Sequence, residues 1–262
     1  MLEFKDQVIV ITGGETGIGR ATVEHLARLG ADVVIGGILE DEAKAALGAV
    51  KGCSGTVTFQ KADVRDVEQV NALIDGAVKK HGRVDGLVNN AGIFDGFANC
   101  VDTSDALWDQ IINVNLRGTF LACRAALRHM VPAGHGKIVN VASIGGLVGM
   151  ADGASYTASK HGVVGLTKHL GCYYAKSGVA INAVCPGAIE TNVRGNSARI
   201  LGDDAPNMGG VGASAEWVKA AIPQQRKGKV SEISEMIAFL LSSRATYMNG
   251  QCFVVDGGWT AK

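Results

Sequence analysis

The sequence has no C-x-x-C pair; its six cysteines, Cys53, Cys100, Cys123, Cys172, Cys185 and Cys252, stand apart. Without paired spacing or a cationic setting they offer neither a zinc knuckle nor a redox dithiol, and most of them read as small buried hydrophobes. His129, His161 and His169 also lack metal-ligand spacing, so no metal is expected. An excess of one charge is missing too: 25 basic side chains face 25 acidic ones. That balance excludes the single-sign field a nucleic-acid binder uses on phosphates. No apolar run approaches membrane-spanning length, and Met1-Leu2-Glu3-Phe4-Lys5-Asp6 lacks the apolar core of a signal peptide. A cytoplasmic protein with no membrane partner is therefore expected. No linker-like stretch and no internal repeat interrupts the 262 residues, which predicts one domain over 1–262.

What is present is a chain 47% hydrophobic and 19% charged, in the range of globular proteins. Short β-branched runs alternate with helical stretches: Val8–Thr12, Ala21–Leu29, Asp32–Ile35, Asp41–Val50, Thr56–Gln60, Val67–Lys80 and Val84–Asn89. A long helix ending before Pro132, a strand Lys137–Ala142, a helix from about Ser155 to Lys176 stopped by Gly178, and a strand Val179–Val184 continue the rhythm. Strands apolar on both faces and separated by helices predict an α/β fold, a Rossmann-like doubly wound parallel sheet of about seven strands with helices on both faces. The stretch 188–230 breaks the rhythm and reads as a partly helical substrate lid. A helix near Ser231–Leu241 and a strand Cys252–Val255 close the sheet.

Directly after the first strand stands Thr12-Gly13-Gly14-Glu15-Thr16-Gly17-Ile18-Gly19, and a helix follows at once. A glycine-rich strand-to-helix turn lets backbone approach a pyrophosphate, and the helix N-terminus offers free N–H groups and partial positive charge. The spacing is G-x-x-x-G-x-G. Asp63-Val64 follows the third strand, Asn89-Asn90-Ala91-Gly92 the fourth and Pro186-Gly187 the sixth. On these motifs the chain resembles the short-chain dehydrogenases/reductases from about residue 5 to 258. The resemblance implies an NAD(P)(H) cofactor held by Gly13, Thr16, Gly17, Ile18 and Gly19. It also implies that Asp63 and Val64 hold the adenine, that Asn90, Ala91 and Gly92 line the channel, and that Pro186, Gly187, Ile189 and Thr191 hold the carboxamide and phosphate side. The end of the second strand reads Ile35-Gly36-Gly37-Ile38, with neither the acid that binds ribose hydroxyls nor a base for a 2′-phosphate. Glu15 would repel a 2′-phosphate if it faced the adenosine, so the balance favours NAD over NADP.

Tyr156 and Lys160 are four apart, which on a helix puts both on one face, and Ser143 lies just past a strand that opens toward the crevice. A tyrosine and a lysine at that spacing are by themselves an ordinary surface pair; with the glycine turn and Ser143 in register they become a site. Lowering a phenol from a pKa of about 10 to about 7 requires roughly 4 kcal/mol, which one ammonium at about 4 Å can supply. The resemblance implies that Tyr156 exchanges the proton with the substrate oxygen, Ser143 hydrogen-bonds that oxygen, Lys160 lowers the tyrosine pKa and holds the nicotinamide ribose, and Asn115 completes a tetrad by anchoring a water. Asn113 competes for that last role, and Asn115 matches the family's V-N-L setting.

The pocket should be framed by Ile144–Met150, Phe94–Phe97 and the lid. With Arg194 and Arg199 read as solvated, an uncharged, fairly hydrophobic ketone or secondary alcohol is expected. Two alternatives stay open: a reductase of 3-oxoacyl thioesters on acyl carrier protein, and a non-catalytic NAD(H)-sensing protein. The resemblance implies a homotetramer packed through the long helices Asp105–His129 and Ser155–Lys176 and the C-terminal strand.

Overall fold

A strand that is apolar on both faces can be buried only between two layers of helices. In the computed structural model, which describes residues 3–208 and 214–262, the first strands and helices alternate accordingly. They are β1 (Val8–Thr12), α1 (Gly17–Arg28), β2 (Asp32–Gly37), α2 (Glu40–Ala49), β3 (Val57–Lys61) and α3 (Val67–His81). Then come β4 (Gly86–Asn89), α4 (Asp105–Ile111), α5 (Gly118–Ala133), β5 (Gly136–Val141), α6 (Ala154–Tyr174) and β6 (Val179–Pro186). The chain continues through α7 (Val193–Leu201), α8 (Ala215–Ala221), α9 (Val230–Leu241) and β7 (Cys252–Val255). The sheet runs β3-β2-β1-β4-β5-β6-β7 with every pairing parallel. It is the expected seven-stranded Rossmann-like sheet.

Because successive strand residues point to opposite faces, β1 feeds two cores. Val8 and Val10 pack with Leu73, Leu87, Leu121 and Ile138 on one side, and Ile9 and Ile11 with Leu26, Ile35, Ile237 and Leu241 on the other. Each such side chain contributes about 1.5–3 kcal/mol when fully buried. Strand order reverses between β1 and β4, whose last residues Thr12 and Asn89 are register partners. The crevice beyond those carboxyl ends is where such sheets bind ligands.

Two helical details differ from the sequence expectation. The helix does not stop before Pro132: α5 carries that proline in its last turn and ends at Ala133, where Gly134 adopts φ 72°. A proline so near the end removes a single ladder bond, and the left-handed glycine supplies the stop. Between α4 and α5, residues Ile112–Arg117 form a π-helical turn, so Asn113 and Asn115 do not sit on a regular α-helix. Of the expected lid, α7 and α8 are helical, while residues 209–213 lie outside the described residues. Among the described residues, no helix is long and apolar enough to cross a membrane.

Candidate active site

The crevice is a cavity of about 500 Å³ running from the glycine turn to Ser143, Tyr156 and Lys160. At its first end β1 passes into Gly13 and Gly17, with φ 62° and 53°, conformations that favour glycine. A Cβ at Gly19 would overlap the Gly13 carbonyl oxygen and the Asn90 amide, so helix α1 can start against the turn only with glycine there. Helix α1 has no acidic residue in its first turn, and its N-cap Thr16 makes no side-chain cap. Its N-terminal N–H groups are thereby left for an anion.

Asn90 ties the β1 and β4 ends together: its Nδ2 donates to the Gly13 carbonyl at 2.7 Å, and Thr12 Oγ1 accepts from the Asn90 and Ala91 N–H groups at 3.2 Å each. Thr191 stands over the turn, with its methyl group 3.4 Å from where a Gly17 Cβ would lie. Gly13, Thr16, Gly17, Ile18, Asp63, Val64, Asn90, Ala91, Gly92, Pro186, Gly187, Ile189 and Thr191 all line the cavity. Glycine-lined backbone, free helix N–H groups and a long crevice fit a dinucleotide.

The Asp63 carboxylate is already engaged, with Arg65 Nη2 donating to it at 2.6 Å and the Arg65 backbone N–H at 2.9 Å. Partial burial works to raise its pKa, but the Arg65 hydrogen bonds prevail and hold it below the ordinary value. Glu15 is buried against the end of β2, where one oxygen accepts from the Ile38 and Leu39 N–H groups at 3.1 and 3.4 Å. Its second oxygen has no hydrogen-bond partner. A Cβ at Gly37 would overlap this carboxylate; the acid missing from the strand end has its place taken by one from the glycine turn.

At the other end, Ser143 follows β5 and its Oγ accepts from the Gly145 N–H at 3.0 Å. Tyr156 and Lys160 share a face of α6, with the Lys160 ammonium 5.5 Å from the Tyr156 ring centroid and donating to the Val141 carbonyl at 2.8 Å. Burial lowers Lys160 to about 8, against the pull of the Asp152 charge. Burial and then the Asp152 charge hold the Tyr156 phenol above its ordinary pKa, while a hydrogen bond with Ser143 opposes them. With its pKa held above the ordinary value, Tyr156 is a neutral phenol in the protein alone.

Asn115 is buried behind the cavity wall rather than in it. Its Oδ1 accepts from the Ile93 N–H at 2.8 Å, and its Nδ2 donates to the Ile93 carbonyl at 2.9 Å and to Ser159 Oγ at 3.2 Å. The three histidines stay outside the cavity lining, and His129 lies 2.7 Å from Asp75. Burial pushes the Cys123 thiol up to about 12, consistent with an inert core cysteine.

Three side chains were not foreseen as site residues. Asp95, fully buried, accepts from Ser155 Oγ at 2.9 Å and from the Tyr156 N–H at 2.8 Å, and so caps the helix that carries Tyr156 and Lys160. Asp152 lines the cavity, and Ser143 Oγ donates to it at 3.4 Å. Arg194, expected to be solvated, lies over the Phe94 and Phe97 rings at 5.7 and 5.8 Å and lines the cavity. Of Ile144–Met150, Ile144 alone lines it. The chain turns outward at Met150, 96% exposed with φ 60°, and re-enters at Ala151. No periodicity or motif marks Asp95 or Asp152; their carboxylates acquire meaning only where β4, β5 and α6 converge.

A family model described as enoyl-(acyl carrier protein) reductase matches residues 13–260. Levodione reductase of Leifsonia aquatica is 38% identical over 260 residues, 98% of this chain and 96% of the relative. A crystal structure of a levodione reductase matches with a TM-score of 0.89 at 36% identity, covering 98% of this chain and 99% of the other. Cis-4-hydroxycyclohexanecarboxylate dehydrogenase of Sinomonas cyclohexanicum is 39% identical over 259 residues, 98% of each chain. A 3-oxoacyl-[acyl-carrier-protein] reductase of Chlamydia pneumoniae is 35% identical over 252 residues, 96% of each chain.

Proposed function

The chain belongs to the short-chain dehydrogenase/reductase family, and from that premise we propose that it interconverts a secondary alcohol and a ketone, with Tyr156 exchanging the proton. The observation that carries this reading is that Ser143, Tyr156 and Lys160 line the same cavity as the glycine turn. Bound in that cavity, a nicotinamide dinucleotide supplies or accepts the hydride.

Tyr156 gives its phenolic proton to the carbonyl oxygen as that oxygen becomes an alkoxide, and Ser143 donates a hydrogen bond to the same oxygen. A neutral phenol is the form that can donate, so the protein as it stands is prepared for ketone reduction. In alcohol oxidation the phenol must first lose its proton, and Lys160 is the cation that favours that loss. Asn115 acts as a positioning residue: by clamping both backbone groups of Ile93 it fixes the turn after Gly92, beside the lysine. Gly13, Thr16, Gly17, Ile18, Gly19 and Asn90 would hold the pyrophosphate end, Asp63 and Val64 the adenine, and Ala91, Gly92, Pro186, Gly187, Ile189 and Thr191 the nicotinamide half.

NAD is favoured over NADP, because the buried Glu15 carboxylate already occupies the Ile38 and Leu39 N–H groups at the strand end, where a 2′-phosphate would otherwise find donors. An uncharged cyclic ketone is the expected substrate; the ring, though not the lack of charge, is in keeping with the name of the Sinomonas relative, a hydroxycyclohexanecarboxylate dehydrogenase. A homotetramer in the cytoplasm accompanies this reading. It is supported by a shallow apolar face on α5, α6 and the π-helical turn, formed by Ile112, Leu116, Phe120 and Leu166. A monomer by light scattering would remove the assembly claim. The enzymatic claim is tested by following NADH and NADPH oxidation with a panel of cyclic ketones and a 3-oxoacyl thioester. Turnover of the ketones with NADH is expected; turnover of the thioester alone would move the protein to acyl-chain reduction, and binding without any turnover to a sensor.

A further inference from the structure

A carboxylate lining the cavity beside Ser143 and Tyr156 requires an account, and Asp152 has only part of one. Its Oδ2 accepts from Ser143 Oγ at 3.4 Å, long for an O–H···O bond. Its Oδ1 has no hydrogen-bond partner among the described residues, yet it is not sealed away with the buried unpartnered atoms, and the residue lines the cavity. Backbone hems it in from behind, since a Cβ at Gly145 would overlap Oδ2. The residue with the free oxygen therefore lines the same cavity as Ser143 and Tyr156, which would hold the substrate. The charged groups that bear on it are Asp95, Lys160 and Arg194.

We propose that Asp152 recognises a hydroxyl on the carbon next to the reacting one, so that the substrates of this site are vicinal diols and α-hydroxyketones. This rests on the reading that Ser143 and Tyr156 hold the reacting oxygen. Oxygens on adjacent carbons can lie about one hydrogen-bond length apart, and Asp152 Oδ2 and Ser143 Oγ are 3.4 Å from each other, so two neighbouring substrate oxygens can reach both side chains at once. One substrate oxygen can thus bond Ser143 and Tyr156 while its neighbour donates to Asp152. A hydroxyl fits better than an ammonium, because Lys160 and Arg194 already set two positive charges around the same carboxylate. The second hydroxyl also gives the desolvated carboxylate a donor it lacks in the protein alone, and that gain is absent for a plain ketone.

The test compares 2-hydroxycyclohexanone with cyclohexanone, by kcat/KM with reduced cofactor, in the wild type and in Asp152→Ala and Asp152→Asn. A hydrogen bond to a charged group predicts a wild-type preference of about 10–100-fold for the hydroxyketone. The preference should fall toward unity in Asp152→Ala and to an intermediate value in Asp152→Asn, which keeps one acceptor oxygen. Both substrates are measured on the same preparation, so the ratio does not depend on how much of a variant folds. Calorimetric titration of the protein with 1,2-cyclohexanediol and with cyclohexanol should show the same order of affinity without turnover. Equal treatment of the two ketones by the wild type, or a preference that survives Asp152→Ala, overturns the inference and leaves the oxidoreductase reading standing. Failure of both ketones to react overturns that reading and this inference together.

Discussion

Replacing Asp152 by asparagine should stabilise the protein, and increasingly so as the pH rises. Burial, followed by the nearby Asp95 charge, lifts the Asp152 carboxyl from 3.8 to about 7. Below the unfolded value both states hold the proton, and the raised pKa carries no penalty. As the pH climbs toward the folded value the unfolded chain releases its proton while the folded protein keeps it, and stability is lost at about 1.4 kcal/mol per pH unit. Above about pH 7 the loss levels off at roughly 4 kcal/mol, from a shift of about three units. Asparagine keeps the shape and an acceptor for Ser143 but has nothing to ionise. In urea unfolding of the cofactor-free protein, the variant's advantage over the wild type should grow by about 2–3 kcal/mol between about pH 5 and about pH 8. Titrations of groups that do not feel the Asp152 charge cancel in that difference. An advantage that stays flat across the window would refute the argument that Asp152 ionises at the expense of the fold.

Other perturbations probe the two ends of the cavity. Glu15→Gln removes the buried charge at the end of β2 and should narrow the preference for NADH over NADPH by about tenfold or more, the scale of one charged interaction, read by fluorescence titration of each dinucleotide. Equal weakening of both would mean that Glu15 only shapes the turn. Asp95→Ala leaves the Tyr156 N–H and the Ser155 hydroxyl without their acceptor, and should cost about 1–3 kcal/mol in denaturant unfolding.

The strands and their parallel order were legible because the central ones are short apolar runs alternating with helices, and β1 shows the resulting split of Val8 and Val10 from Ile9 and Ile11. The glycine turn was legible for a similar reason: positive φ at Gly13 and close approach at Gly19 leave little choice of residue. The π-helical turn at Ile112–Arg117 was not, since no residue there departs from an ordinary helical sequence. Pro132 misled because a proline near a helix end costs one bond, less than the packing it permits. Glu15 was read as a charge that would oppose a 2′-phosphate if it faced the adenosine, but its hold on the Ile38 and Leu39 N–H groups depends on β2 lying beside β1. Asp95 and Asp152 were missed because each is meaningful only beside α6, which starts 59 residues after Asp95 and two after Asp152. Arg194 was misjudged because lid arginines are usually solvated, whereas Phe94 and Phe97 give this one a pair of ring faces.

The most direct test of the account is Tyr156→Phe, assayed for ketone turnover alongside cofactor binding. Removing one hydroxyl should leave dinucleotide affinity close to that of the wild type while kcat falls by about 100-fold or more, the usual contribution of a positioned proton donor. Turnover that persists in the variant would contradict the assignment of Tyr156 as the group that exchanges the proton.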